Sequence, residues 1–451
     1  MTVGEPWKQI LVFTLPMLLG NIAQQLYSTV DSIVVGKYVG DNALAAVGSA
    51  SPILNLLLVL FIGISIGASI MCAQYLGARN RTALSYAVGN CILLTVIASA
   101  VMTVAGILLA RPMLVLLGTP ESILDWCTSY LCILFLGSLG SGLYNILSGV
   151  LRGLGDSVSA LIYLIVASLL NIVLDIFFVA NLGLGVAGVA WATIIAQAVS
   201  AVLCILRLAR MKDMFDFHIS YMKWKDPYAP GIIRLGLPSG ITQAIFSMSM
   251  ILVQSLTNSF GEQLIAANVI VMRVDGFAML PNFSFGTALT TYAGQNIGAG
   301  NEERVVKGAR QGLLLSVIFS ASITALILIF GKYLMGIFTD TAELATLSMR
   351  MMRILAVGYI AMAVIQALSG IMRGAGDTVT PMWISIVQTF CLRMPLAYLL
   401  CYLTRSPEYP HGRPEMLFVS MLTAWCLGAA ATTFFYRLGR WKGKGIAGSN
   451  S

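Results

Sequence analysis

The chain has 451 residues, 58% of them hydrophobic and only 10% charged, with a formal net charge of +8 and a mean hydropathy of +0.86. Soluble domains carry about 25% charged residues, so this composition excludes a soluble protein and points to a polytopic helical membrane protein. Met1–Gln9 lacks a basic cluster and the first apolar run is too long for a signal-peptide core, so no cleaved leader is expected.

Twelve apolar segments follow one another: 10–35, 46–75, 85–109, 126–150, 158–180, 186–206, 233–259, 265–296, 310–330, 343–371, 380–403 and 415–436. Each is long enough as a helix to cross ~30 Å of hydrocarbon. The polar stretch 207–232 divides them into two sets of six, giving an N-terminal lobe (1–206), a linker (207–232), a C-terminal lobe (233–440) and a tail (441–451). With the N-terminus in the cytoplasm, the cytoplasmic loops collect most of the basic residues, among them Lys8, Arg79, Arg81, Arg207, Lys223, Arg304 and Arg440. The other side receives Lys37, Arg111, Lys332, Arg405 and Arg413. This asymmetry predicts a multi-pass cell-membrane protein with both termini cytoplasmic, and it explains the net charge without an acidic or nucleic-acid partner.

Segment 1 carries Asp31 near its outer end. A carboxylate in such a helix opposes insertion by roughly 2.5–3.5 kcal/mol at mid-membrane and less near an interface, so it reads either as a snorkelling interfacial residue or as an ion-coupling group. Gln24 and Tyr27, earlier on the same helix, are candidates for lining a substrate cleft, and Pro16 removes a backbone hydrogen bond in its inner part. Gly63–Gly67 on segment 2 matches the G-x-S-x-G nucleophile elbow, but it lies in an uninterrupted apolar helix. The chain's two histidines, His218 and His411, fall in polar loops on opposite sides, so a helix-packing role for the glycines is expected. Eight cysteines without motif spacing read as small core hydrophobes, and no ligand cluster marks a metal site.

Taken by depth, Tyr130 (segment 4), Asn171 and Asp175 (segment 5) and Thr193 (segment 6) fall at the level of Asp31. Asn171 and Asp175 are four residues apart on one helix face. Two carboxylates, an amide and two hydroxyls in one lobe make a plausible proton site or set of oxygen ligands for Na⁺, and two carboxylates in proximity would titrate as a unit.

Internal repetition is the strongest pattern. SGVLRGLGDSVS at Ser148–Ser159 matches SGIMRGAGDTVT at Ser369–Thr380, and QYLGARN at Gln74–Asn80 matches QNIGAGN at Gln295–Asn301, both 221 residues apart. Leu15-Pro16 and Leu237-Pro238 pair at nearly the same spacing. Six crossings separate equivalent points, so the lobes share one orientation and are related by a pseudo-twofold axis along the membrane normal, with substrate expected between them. The RGxGD element reads as a hinge: Arg152 at a helix C-terminus, glycines for the turn, Asp156 as the next N-cap. In the second lobe Asp31 and Asp175 map to Leu252 and Leu396, while Arg273, Asp275, Arg350, Arg353 and Arg393 lie within its segments. Arg273–Asp275 is a candidate local salt bridge. The other arginines are candidates for snorkelling, for pairing with Glu343 or for binding anionic groups, and Arg273, Asp275, Arg353 and Arg393 join the cleft candidates.

These residues together resemble the multidrug and toxic compound extrusion (MATE) family over nearly the whole chain, through VDSIVVGKYVGDNALAAVG around Asp31, GQNIGAGN at Gly294–Asn301 and the repeated RGxGD. The resemblance implies a twelve-helix, two-lobed secondary transporter, monomeric and without cofactor, that exchanges external H⁺ or Na⁺ for amphipathic, often cationic, organic compounds. The DinF-type branch carries a first-lobe site matching Asp31, Tyr130, Asn171, Asp175 and Thr193, and implies bending of helix 1 at Pro16 on protonation. The second-lobe acidic residues of the NorM-type branch have no counterpart here. A lipid-linked glycan flippase of the same superfamily is the alternative, favoured by the second-lobe arginines and disfavoured by the absence of fourteen segments. A channel would need a polar pore lining or filter loop, and the sequence offers neither.

Overall fold

In the computed structural model, the structure describes residues 1–258, 260–339, 341–407 and 409–446, apart from the side chains of residues 28, 31, 32, 41, 44, 52, 56, 57, 250–252 and 255. Among the described residues the regular elements are helical: α1 Pro6–Tyr38, α2 Asp41–Gly77, α3 Arg81–Leu116, α4 Glu121–Leu136, α5 Ser138–Gly153, α6 Ser157–Asp175, α7 Gly185–Arg210, α8 Tyr228–Asn258, α9 Glu262–Ala278, α10 Leu280–Gly298, α11 Glu302–Gly336, α12 Ala342–Gly374, α13 Val379–Ile386, α14 Met394–Leu403 and α15 Glu415–Arg437. Among the described residues ten helical stretches are long and apolar enough to cross a membrane, and the pair α4–α5, bent by 54°, makes an eleventh. With α8, 31 residues long, they account for the twelve expected segments. Four segments are less regular than their sequence pattern. The fourth breaks at Gly137, the eighth turns at Met279 ahead of Pro281, and the fifth and eleventh contain π-helical stretches, Ile176–Asn181 and Val387–Arg393.

The chain forms two compact units, Pro16–Gly240 and Met1–Leu15 with Ile241–Ser451. This differs from a division at 207–232. The first fifteen residues belong with the second half of the chain, and the linker and the first turns of α8 belong with the first half.

In the first unit, the linker is held on α3. Arg81 pairs with Asp216 at 2.6 Å, the Asp216 amide donates to Ser85 Oγ at 2.8 Å, and Lys225 Nζ lies 3.6 Å from the Tyr86 ring centroid. The guanidinium donating to Asp216 holds that exposed carboxyl below its usual range. Small residues bring the helices together. A Cβ on Gly67 would lie 2.3 Å from the Ile232 carbonyl oxygen, and one on Gly236 2.4 Å from that of Gly63, so α2 meets α8 backbone to backbone. Packing is therefore what the GxSxG stretch does, and Ser65 donates to the Asn145 carbonyl at 2.8 Å.

In the second unit, the chain's first residues are fixed by Arg304, whose guanidinium donates to the Gly4 carbonyl at 2.6 Å. They are held too by Gln311, whose side-chain oxygen accepts from the Trp7 amide at 3.0 Å. Ile10 is fully buried with Leu289 and Tyr292. The expected tail is anchored as well: Trp441, 1% exposed, stacks on Tyr436, and Lys444 pairs with Asp377 at 3.0 Å. Of the cysteines, Cys391 and Cys426 are exposed, contrary to the reading of all eight as core residues; Cys72, Cys91, Cys127, Cys204 and Cys401 are buried.

The sequence repeat is also a repeat of contacts. Gly149 and Gly153 of α5 press on Ser65 and Ser69 of α2, and their copies Gly370 and Gly374 of α12 press on Gly286 and Thr290 of α10. Asp156 accepts from the Ser159 amide at 3.0 Å and Asp377 from that of Thr380 at 3.3 Å. Asn80 and Asn301 cap α3 and α11 in the same way. The RGxGD elements are therefore helix-to-helix turns, with Gly155 and Gly376 at φ 92° and 101°, where a side chain would be strained.

Candidate functional site

Asp156 caps the start of α6, and a mostly aliphatic run, Ala160–Leu170, separates that cap from the polar pair Asn171 and Asp175. Both are buried, with Asp175 0% and Asn171 1% exposed. The Asn171 amide is oriented by its neighbours. With the nitrogen towards the acceptors, Nδ2 donates to Asp175 Oδ2 at 2.9 Å and to the Tyr27 hydroxyl at 3.2 Å, while Oδ1 accepts from the Thr193 backbone amide at 3.1 Å. The reverse orientation turns the amide oxygen towards the carboxylate and gives a 3.4 Å contact from Nδ2 to Thr193 Oγ1, so the hydrogen-bond network selects the first. Thr193 Oγ1 also donates to the Val189 carbonyl at 3.0 Å, a back-bond that fixes the hydroxyl on α7.

Three helices thus converge on one amide: α1 through Tyr27, α6 through Asn171 and Asp175, and α7 through Thr193. Tyr130 of α4, 5% exposed, lies in the adjoining apolar cluster with Val35, Val179 and Val189. Those valines follow Asp31 by four residues, follow Asp175 by four and precede Thr193 by four, so the cluster that holds Tyr130 includes residues one helical turn from three positions of the site. Asp31 follows Tyr27 by one turn on the same stripe of α1; its side chain lies outside the described residues. Immediately after Asp175 the helix widens into a π-helical stretch, Ile176–Asn181. Such stretches frequently accompany functional sites, because they break the regular ladder next to the residues they present. Among the described residues no group of three or more His, Cys, Asp or Glu side chains is placed to hold a metal.

The remaining candidates separate. Pro16 lies inside a continuous α1, against a cavity of about 50 Å³ lined also by Gly20, Asn21, Tyr144 and Arg152. Gln24 is exposed and Tyr27, a cleft candidate in the sequence, is half-buried in the Asn171 network. Arg273 and Arg353 are exposed. Asp275, 5% exposed, accepts from the Tyr359 hydroxyl at 2.9 Å. The expected Arg273–Asp275 salt bridge is absent among the described residues, because positions two apart on a helix face different ways. Arg350 pairs with Glu415 at 3.1 Å, not with Glu343. Arg393 Nη1 donates to Ser249 Oγ and Nη2 to Met421 Sδ, the latter at 2.8 Å. Tyr359 and Ser249 escape sequence reading, since each is one of several polar residues on its helix and its partner comes from elsewhere in the chain.

The MatE family model matches this chain twice, at residues 16–177 and 238–399, so each match opens on one of the paired prolines. The chain is 30% identical over 442 residues to "Probable multidrug resistance protein YpnP" of Bacillus subtilis (strain 168), covering 98% of this chain and 97% of that protein. It is also 30% identical over 406 residues to "Probable multidrug resistance protein YoeA" of the same organism, covering 88% of each. A solved structure described as MATE in the bent conformation superposes with a TM-score of 0.90 at 23% identity, covering 97% of this chain and 96% of that one. At that identity the likeness shows the fold.

Proposed function

The chain belongs to the MatE family and is a multi-pass membrane transporter; on that premise we propose that it is a secondary active multidrug exporter. It exchanges an external cation for amphipathic, often cationic, organic compounds by alternating access, with both termini in the cytoplasm. The names of its B. subtilis relatives as probable multidrug resistance proteins support the substrate class.

The observation that carries the coupling mechanism is the Asn171 amide. It ties the Asp175 carboxylate on α6 to the Tyr27 hydroxyl on α1, so a change of charge at Asp175 is felt directly by helix 1. Asp31, one turn beyond Tyr27, is the second carboxylate of the site. Between the two ions, the orientation of Asn171 favours a proton. With its nitrogen turned to the carboxylate, Asn171 offers Asp175 a hydrogen-bond donor and no oxygen that could share a Na⁺ with it, which supports a proton. Protonation of Asp175 weakens its acceptor bond with Asn171, loosens the hold on Tyr27 and releases the outer half of α1 to bend at Pro16, where the backbone ladder lacks a donor. Tyr130 and Thr193 position the network. Gln24, Arg273 and Arg353 remain candidates for substrate contact.

Purified protein in liposomes, with proton and sodium gradients imposed separately, tests the reading. A proton gradient directed inwards should drive saturable counter-movement of a lipophilic cation and a sodium gradient should not; movement indifferent to both gradients would contradict it. The second reading, a flippase for anionic lipid-linked glycans, would rest on Arg273 and Arg353, since Arg393 is engaged by Ser249 and Met421.

A further inference from the structure

The cavity of about 50 Å³ beside Pro16 has a chemistry that the coupling site does not use. One wall is a stripe of α1, Pro16, Met17, Gly20 and Asn21. Leu161 and Leu164 of α6 face it, 3.5 and 3.7 Å from where a Cβ on Gly20 would stand. The remaining polar lining is Tyr144 and Arg152 of α5 and Ser157 of α6. All of these polar side chains can donate hydrogen bonds, and among the described residues no carboxylate lines the cavity. The Arg152 guanidinium, half-buried, makes no hydrogen bond or ion pair among the described residues. The hydroxyls of Tyr144 and of Ser157, the latter residue 4% exposed, make none there either. The acid of the same turn is taken: Asp156 accepts from Arg207 at 2.8 Å and from the Ser159 amide and hydroxyl at 3.0 and 2.8 Å.

The balance of charge at the turn leaves one positive charge over. The α5 C-terminus and the α6 N-terminus carry about half a charge each, of opposite sign, and offset one another. Asp156 and Arg207 do the same, and Arg152 remains. We propose that the cavity is a binding site for a small singly charged anion, held by the Arg152 guanidinium and the Tyr144 and Ser157 hydroxyls. Water would satisfy the donors and leave the charge, whereas an anion answers both. A water needs roughly 10–15 Å³ of such space, so the cavity admits a halide or the oxygens of one headgroup phosphate. It is too small for a drug-sized compound, whose pockets measure about 300–1,000 Å³. The anion braces the inner part of α1 against α5 and α6, beside the point where Pro16 leaves the backbone ladder without a donor.

The site does not depend on which cation drives exchange, and its test involves no transport. Thermal unfolding of the full-length protein in a neutral detergent is compared in sodium chloride and sodium gluconate of equal ionic strength. The gluconate series is repeated with added phosphatidylglycerol or phosphatidylcholine. Wild type should gain several degrees from chloride, or from phosphatidylglycerol alone if the anion is a lipid phosphate. Arg152→Gln should lose that gain, and Ser157→Ala should need several-fold more of the same anion to reach it. Equal responses of wild type and Arg152→Gln to both probes would overturn the proposal. Should Arg152→Gln fail to fold, crystals of the wild type grown in sodium bromide decide. An anomalous peak, or headgroup density, within hydrogen-bond reach of Arg152 and Ser157 is the expected result, and neither at that place contradicts it.

Discussion

At the scale of single residues, Asn171 is the pivot, since its three hydrogen bonds reach three helices. Asn171→Ala removes the hydrogen bonds to the Tyr27 hydroxyl, the Asp175 oxygen and the Thr193 amide together. A buried hydrogen bond contributes about 0.5–1.5 kcal/mol net, so calorimetry should show a lowered unfolding temperature, and liposome exchange should be uncoupled. Asp156 supplies a pH-dependent term. Burial alone would raise its carboxyl, but the Ser159 amide and hydroxyl and the Arg207 guanidinium outweigh burial and hold it below the usual range. A depressed carboxyl stabilises the fold above its unfolded value, and that contribution is lost as pH falls through the folded one. Asp156→Asn keeps an N-cap acceptor but loses the charge, so its stability should fall less on acidification than wild type; identical acid limbs would count against the assignment. Asp175, Asn171 and Thr193 were legible in the sequence because depth and helical spacing align them. The role of Tyr27 was not, because its partner lies on α6, and Tyr359 was hidden for the same reason.

At the scale of elements, close crossings decide the packing. A Cβ at Gly370 would lie 2.3 Å from the Gly286 carbonyl oxygen, and Gly67 meets Ile232 as tightly, so Gly67→Val or Gly370→Val must push the crossing backbones apart. Overpacking costs about 1–3 kcal/mol or more, and both variants should show reduced yield of monodisperse protein in size-exclusion chromatography. The α2–α3 turn offers the opposite change. Arg79 sits at φ 53° where its copy is Gly300 at φ 70°, and a left-handed conformation costs a non-glycine residue about 1–2 kcal/mol. Arg79→Gly should therefore leave thermal stability unchanged or raise it, whereas Gly300→Ala should lower it. The twelve segments and both RGxGD turns were readable from hydropathy and turn chemistry. The bend between α4 and α5 and the π-helical stretches were not, since hydropathy registers apolar length and is blind to how the backbone is wound. Gly137, Pro281 and Pro395 were the local signs.

Over the whole molecule, the repeat was readable as sequence and returns as paired caps, paired turns and paired glycine contacts. The sequence could not show that residues 1–15 pack with the second half and the linker with the first. Which helix a segment packs against depends on residues hundreds of positions away, such as Arg304 for Gly4. The two halves share their scaffold and differ in their buried carboxylates: one holds Asp175 within an amide and hydroxyl network, the other holds Asp275 against the Tyr359 hydroxyl. Ion coupling through the Asn171 network belongs to the first half, and Asp175→Asn in proteoliposomes tests this most directly. The variant should fold with near wild-type stability and lose gradient-driven exchange altogether; exchange at the wild-type rate would contradict the account.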